Sequence, residues 1–296
     1  MKNRLRMATG VLLVTLAMQA QCHAQSKPLP QTCAEPVVIK THGSSTTAFA
    51  YHASTEPSDA STNIVLLMLV GGSGHIALDD QACPGALKGN SLIRSLKLFE
   101  AQGFSTALPD APSDWQGPDG LAGFRNSASH AEDIGLIIRH LRDRGHARVW
   151  LVGTSRGSIS AVNAASRLSG QAAPDGLVLT SALMSGQASA KKPWVAQTVF
   201  DLPLENIHIP VLLLGHASDA CERSPAGLMD KVSARIKSVR SQVVLLTGGP
   251  DQRVAGSLLA CEGNSAHGYL GQESEMAAII SGFIRNEQAG LTPLSH

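Results

Sequence analysis

"VWLVGTSRGSISA", Val149 to Ala161, is the stretch that decides the fold. Four apolar residues, enough for a buried strand, run into Gly153-Thr154-Ser155-Arg156-Gly157, and a helix follows to about Leu168, ahead of Gly170. The G-x-S-x-G pattern is short, and in a chain with 28 glycines it gains meaning only from its surroundings. Here a serine between two glycines stands at the carboxyl end of a strand, where ligands collect in an open α/β sheet. The helix that starts there points free N–H groups and its positive end at the same spot. A serine hydroxyl is a weak nucleophile and needs a base to take its proton, so the pattern calls for partners elsewhere in the chain.

The surrounding sequence repeats the alternation of strand and helix. "PVVIKTHG" and "TAFAYHAS" are expected as two short strands, and "IVLLMLV", Ile64 to Val70, is apolar on both faces like a strand of a parallel sheet. That strand ends in Gly71-Gly72-Ser73-Gly74. A helix is expected over Ser91 to Gln102, a strand at "FSTALPD", and a helix opened by a capping box of Ser129 and Glu132. Further on come the strands "GLVLTSAL", "PVLLLGH" and "QVVLLTG", a helix from Ser224-Pro225 with Leu228, Val232 and Ile236 on one stripe, and a last helix carrying Met276, Ile279, Ile280 and Phe283. This order implies a mostly parallel sheet with helices on both faces.

Two loops near the end supply the missing chemistry. "GHASDACERSP" puts Asp219 a few residues past a strand, and "CEGNSAHGYLG" puts His267 between the last strand and the last helix. In order serine, acid, histidine, with "GTSRGS", "GHASD" and "HGY", the chain resembles the α/β-hydrolase superfamily, above all its small esterase and dienelactone-hydrolase-like or prolyl-oligopeptidase-like members. The resemblance covers nearly all of the sequence beyond residue 24. It implies the α/β-hydrolase fold, with Ser155 as nucleophile, His267 as general base and then acid, and Asp219 orienting the imidazole. Where relatives carry His-Gly-Gly, this chain has Val70-Gly71-Gly72-Ser73-Gly74, so the first backbone oxyanion donor falls to Gly72 or Ser73 and the second to Arg156. Dienelactone hydrolases proper use cysteine as nucleophile, so their substrate is not implied.

The function expected from the resemblance is hydrolysis of a carboxylic ester through an acyl-enzyme, on a small-molecule ester or amide substrate, with no metal and no organic cofactor. A peptidase or acyltransferase on the same residues, or a non-catalytic binding protein on the same fold, is the alternative. Rival acids are Glu222 and Asp251, and the rival base is His216, which falls at a strand end and is expected to belong to the turn. His75, His130, His140, His146 and His208 are expected as solvated surface residues. Arg156 is expected either to pair with a neighbouring carboxylate, such as an acid in the Asp110 to Asp119 loop, or to contact an acidic or polar group of the substrate, and no sequence feature separates the two. Only some 25 residues separate "GLVLTSAL" from "PVLLLGH", so little or no cap domain is expected. The walls of an open site are expected from Asp110 to Phe124 and from Ser185 to Val199, with Trp115, Phe124 and Trp194 as lining or satellite core.

Residues 1–24 have the three parts of an export signal: Lys2, Arg4 and Arg6, an apolar run to about Met18, and "CHA" before Gln25. The run falls short of the roughly 20 apolar residues needed to span a bilayer. A polar, proline-rich tether at 25–36, a single α/β domain at 37–288 and a short tail at 289–296 complete the expected layout. Without the signal the chain carries 21 basic and 23 acidic side chains, a net of −2, which recruits neither nucleic acid nor an anionic membrane. Four cysteines remain in a chain expected in the periplasm or outside the cell, where disulfides persist. If Asp219 and His267 meet as the resemblance implies, Cys221 and Cys261 are close enough to bond, which leaves Cys33 for Cys83. Oligomeric state has no signal in the sequence.

Overall fold

Eight strands form one sheet in the spatial order β1-β2-β4-β3-β5-β6-β7-β8. The computed structural model describes residues 33–54, 63–250 and 258–286, so the expected signal, most of the tether, the tail and Asp251 lie outside the described residues. β1 (Glu35–Lys40) pairs antiparallel with β2 (Thr46–His52), and β2 antiparallel with β4 (Ser105–Pro109). All remaining neighbours are parallel: β3 (Ile64–Leu69), β5 (Arg148–Thr154), β6 (Gly176–Thr180), β7 (Val211–His216) and β8 (Ser241–Leu246). β1 begins inside the expected tether.

All six residues of β3 are buried, as are all of β6 and β7, because helices cover both faces of the sheet. Val65, Leu67 and Leu69 face one core with Ile134 and Ile138 of α3 (Ala128–Asp143), Val162 of α4 (Gly157–Arg167) and Val232 of α5 (Met229–Arg235). Leu66, Met68 and Val70 face the other, with Leu92 of α1 (Ser91–Arg94), Phe99 of α2 (Leu96–Ala101) and Met276 and Ile280 of α6 (Glu273–Ile284). Each such side chain contributes roughly 1.5–3 kcal/mol relative to exposure.

Three local expectations need correction. The helix over Ser91 to Gln102 is two short helices, broken at Ser95, whose ψ of 0° leaves the helical range. α3 is capped by Ser127, not Ser129: the Ser127 hydroxyl accepts the His130 N–H at 3.1 Å. The expected helix from Ser224 opens as a 3-10 turn, Ala226–Leu228, before α5.

Sheet order places the site. The chain leaves β3 toward β4 on one side, then crosses back to β5 and on to β6 on the other, so the connections that leave the paired carboxyl ends of β3 and β5 run to opposite sides and open a crevice there. Gly71 and Ser155 are the residues that emerge there. The connection from β6 to β7 holds only short 3-10 turns, and among the described residues no helical cap stands over the strand ends.

Candidate active site

Ser155 is held by a turn that only small neighbours allow. A side-chain carbon on Gly157 would lie 1.9 Å from the Leu69 carbonyl oxygen, and one on Gly153 would lie 2.7 Å from Ala161 Cβ. Bare backbone on both sides lets α4 start against the sheet, and it leaves Ser155 in the left-handed region at φ +50°. That conformation costs a non-glycine residue about 1–2 kcal/mol. Hydrogen bonds from Ser155 N–H to the Thr180 carbonyl (3.0 Å) and from Ser158 Oγ to the Ser155 carbonyl (2.6 Å) hold it.

His267 arrives from the opposite end of the chain. Its Nε2 lies 2.9 Å from Ser155 Oγ, and its Nδ1 lies 2.9 Å from Asp219 Oδ2. An ionised carboxylate only accepts, so Nδ1 carries the proton and Nε2 turns a lone pair to the serine hydroxyl. Both side chains are nearly sealed from solvent, at 3% and 2% exposure. Asp219 is aimed by its other oxygen, which accepts the Cys221 N–H at 2.8 Å.

Long-range bonds fix the histidine loop. The Tyr269 hydroxyl, fully buried, donates to the Leu214 carbonyl at 2.7 Å, and Ser181 Oγ donates to the His267 carbonyl at 2.8 Å. Burial pushes the Tyr269 phenol well above the usual tyrosine range, so it remains a donor. Arg94 donates to the carbonyls of Gly263 (3.0 Å) and Gly268 (2.7 Å) and pairs with Glu273. Cys221 is joined to Cys261, and Cys33 to Cys83. The sulfur of Cys221, although within reach of Asp219 and His267, is therefore no thiolate for a metal.

Facing Ser155 is the turn after β3. A side-chain carbon on Gly71 would press to 2.9 Å from Ser155 Cβ, which marks how closely this backbone approaches. Gly74 N–H closes the turn on the Gly71 carbonyl at 3.1 Å. Among the described residues no acceptor lies against the N–H groups of Gly72, Ser73 or Arg156. A cleft of about 360 Å³ opens beside Ser155 and His267, and Gly72 lines it whereas Ser73 does not.

The walls differ from those expected. They come from 87–91 and 261–264, with Leu87 as their one large apolar side chain, while Trp115 stacks on Phe124 (4.6 Å between ring centres) in a small satellite core of its own. Trp194 lies beneath the Lys192 ammonium instead. Among the described residues Arg156 makes no ion pair: the carboxylates of its expected loop are engaged elsewhere, Asp110 with His75, Asp114 with His42 and Asp119 with Lys192. Burial, aided by nearby Arg223 and opposed by Asp119, draws the Arg156 guanidinium below the usual arginine range.

Among the rivals, His216 is a turn residue, its Nδ1 accepting Ser218 N–H (3.0 Å) and its Nε2 bonded to Gln272 (2.7 Å). Glu222 binds Gln187 at the surface. His208 is exposed, but two other histidines expected in solvent are buried against polar neighbours, His146 bonded at both ring nitrogens and His130 at Nε2 alone among the described residues. His146 bonds to Tyr51 Oη and Asn63 (both 2.7 Å), and burial pushes it down to about 4. His130 lies 2.9 Å from Ser160 Oγ and is pushed down to about 3 by burial and Arg125. His75 and His140 are half-buried.

A doubly covered, mostly parallel sheet with a serine on a strained strand-to-helix turn at its topological switch point defines a class of α/β protein, and the solved structures similar to it name the fold. A cold-adapted esterase from an Arctic intertidal metagenomic library superposes with a TM-score of 0.55 at 15% identity, over 85% of this chain and 92% of its own. The esterase Pf2001 of Pyrococcus furiosus gives 0.58 at 13% identity over 85% and 91%, and the proline iminopeptidase of Mycobacterium smegmatis gives 0.57 at 11% over 86% and 98%. No family model matches the chain, and no curated protein matches it. The chain has the α/β-hydrolase fold.

Proposed function

We propose that this protein is a serine hydrolase that cleaves a carboxylic ester. Ser155 attacks the carbonyl carbon as His267 Nε2 takes its proton; the resulting oxyanion is held by backbone N–H groups of Gly72 and Arg156. Gly72 is favoured over Ser73 because it lines the cleft. The imidazolium, stabilised by Asp219, then protonates the leaving alcohol, and the neutral ring activates the water that releases the acid. The reading rests on one observation: an unbroken hydrogen-bonded chain from Ser155 through His267 to Asp219, at 2.9 Å for each link, beside N–H groups with no acceptor among the described residues.

A cleft with glycine on several sides and a single large apolar residue suits a short acyl group rather than a long chain. Its rim also carries Glu262, exposed and without a side-chain partner among the described residues, which matches an ammonium group and supports an aminoacyl ester or amide as the second reading. Export by the 1–24 signal is supported by the two disulfides, which persist in oxidising compartments.

The test is hydrolysis of p-nitrophenyl acetate beside aminoacyl p-nitroanilides by the wild type and Ser155→Ala. The expected result is ester turnover that falls by roughly three to six powers of ten in the folded variant. Turnover by Ser155→Ala within a few-fold of wild type would remove the serine from the mechanism.

A further inference from the structure

We propose that Arg125 is a positioning residue for the oxyanion site, bolting together from behind the two backbone segments that flank Ser155. The proposal rests on the serine-hydrolase reading and extends it to a residue that touches neither substrate nor the triad.

Arg125 sits in the loop before α3 and is 3% exposed. A guanidinium at that depth is ordinarily paired with a carboxylate, because burying a lone charge is expensive. Among the described residues no carboxylate forms an ion pair with it. Its terminal nitrogens go to three other acceptors, Nη2 to the carbonyls of Val70 (3.1 Å) and Gly72 (3.4 Å) and Nη1 to Ser160 Oγ (2.8 Å), while Nε has no partner among the described residues. Val70 and Gly72 flank the start of the β3 turn that faces the serine, and Ser160 lies in the first turn of α4, whose N-cap is Arg156. One cation therefore bridges the segments that carry both proposed oxyanion donors.

Peptide planarity converts those contacts into orientation. In a trans peptide the carbonyl and the following N–H point in opposite directions. The Gly71 carbonyl accepts from Gly74, and Arg125 occupies the carbonyls on either side of it, so three consecutive carbonyls are fixed. The N–H groups of Gly72 and Ser73, trans to two of them, are turned the other way and have no acceptor among the described residues. Arg125 lies directly behind the Gly72–Ser73 peptide and polarises it, which strengthens the Ser73 N–H; the Gly72 N–H, whose own peptide carbonyl is held by Gly74, is oriented because Arg125 fixes the peptides on both sides of it. Burial and nearby Arg156 draw the Arg125 guanidinium down to about 9, so the cation persists at neutral pH.

The experiment compares kcat and KM for p-nitrophenyl acetate in wild type, Arg125→Met, Arg125→Lys and Ser160→Ala, per active site counted by fluorophosphonate titration. Loosened donors weaken the transition state more than the ground state, so Arg125→Met is expected to lose about 10- to 100-fold in kcat with KM within about threefold. Arg125→Lys is expected to recover part of that loss, since it keeps the cation but not the fork. A merely structural arginine would move thermal stability and leave kcat per site alone. Should Arg125→Met fail to fold, Arg125→Lys and Ser160→Ala carry the test, each expected to lose about 3- to 10-fold in kcat at constant KM. A kcat within about threefold of wild type in every folded variant, or a loss confined to KM, overturns the proposal. A wild type inert toward both ester and fluorophosphonate would instead overturn the serine-hydrolase reading itself.

Discussion

The turn that presents Ser155 and the loop that presents His267 reach the same point by opposite means. The turn is local: within five residues, two missing side chains and a strained φ angle determine where the hydroxyl goes. The described part of the loop holds two short 3-10 turns, and it is tied down by Tyr269 to β7, by Arg94 to α1, by Ser181 beyond β6 and by a disulfide to the acid loop. Steric exclusion holds the first region and distant tethers hold the second. A single substitution should thus collapse the turn, whereas the loop should loosen by steps.

The largest effect is expected at the turn. Gly157→Ala forces a methyl to 1.9 Å from the Leu69 carbonyl, and overpacking against backbone should destabilise by more than about 3 kcal/mol or prevent folding. A Gly157→Ala protein that melts within a few degrees of wild type would break the claim that exclusion holds the turn.

Loss of the Cys221–Cys261 bond tests the other region. Its 40-residue span corresponds to about 4 kcal/mol in the chain-entropy account. Cys221→Ala should also lower turnover per site more than Cys33→Ala, because only the first bond joins the acid loop to the histidine loop. Equal activity losses from the two would show that the tether does not aim the imidazole.

The smallest effect is a pH dependence far from the histidine loop. His42 bridges Asp133 (2.6 Å) and Asp114 (2.9 Å); burial acts to lower its pKa, but those carboxylates raise it above the usual imidazole value. A folded pKa above the unfolded one gives stability that is complete below about pH 6.5 and fades as pH rises through the folded value. The melting-temperature gap between wild type and His42→Ala should be widest near pH 5 and narrower at pH 8. A gap that widens with pH would reverse the sign of this ion pair.

The same difference between turn and loop governs how much of the molecule is legible in its sequence. The turn can be read from Gly153, Ser155 and Gly157 because three small residues at fixed spacing mark it, although the carbonyl that excludes a side chain at Gly157 belongs to Leu69 of β3. Asp219 and His267 emerge through their order and their "GHASD" and "HGY" surroundings, by likeness rather than by local physics. Arg125, Arg94 and Ser181 escape such a reading, since each binds backbone carbonyls, and a carbonyl acceptor leaves no mark on the residue that bears it. Arg156 invites an ion pair because acids stand in the expected loop, yet those acids have nearer cations and histidines. His130 and His146 look like solvated residues because a buried polar partner such as Ser160 or Asn63 has no signature in sequence.

Central to the account is a Ser155 hydroxyl activated by His267, and fluorophosphonate labelling followed by peptide mass spectrometry tests it most directly. The expected result is a single adduct on Ser155, formed on folded wild type and slowed by roughly three powers of ten or more in His267→Ala. A folded wild type that is not labelled, an adduct on another serine, or a His267→Ala protein labelled at the wild-type rate would contradict it.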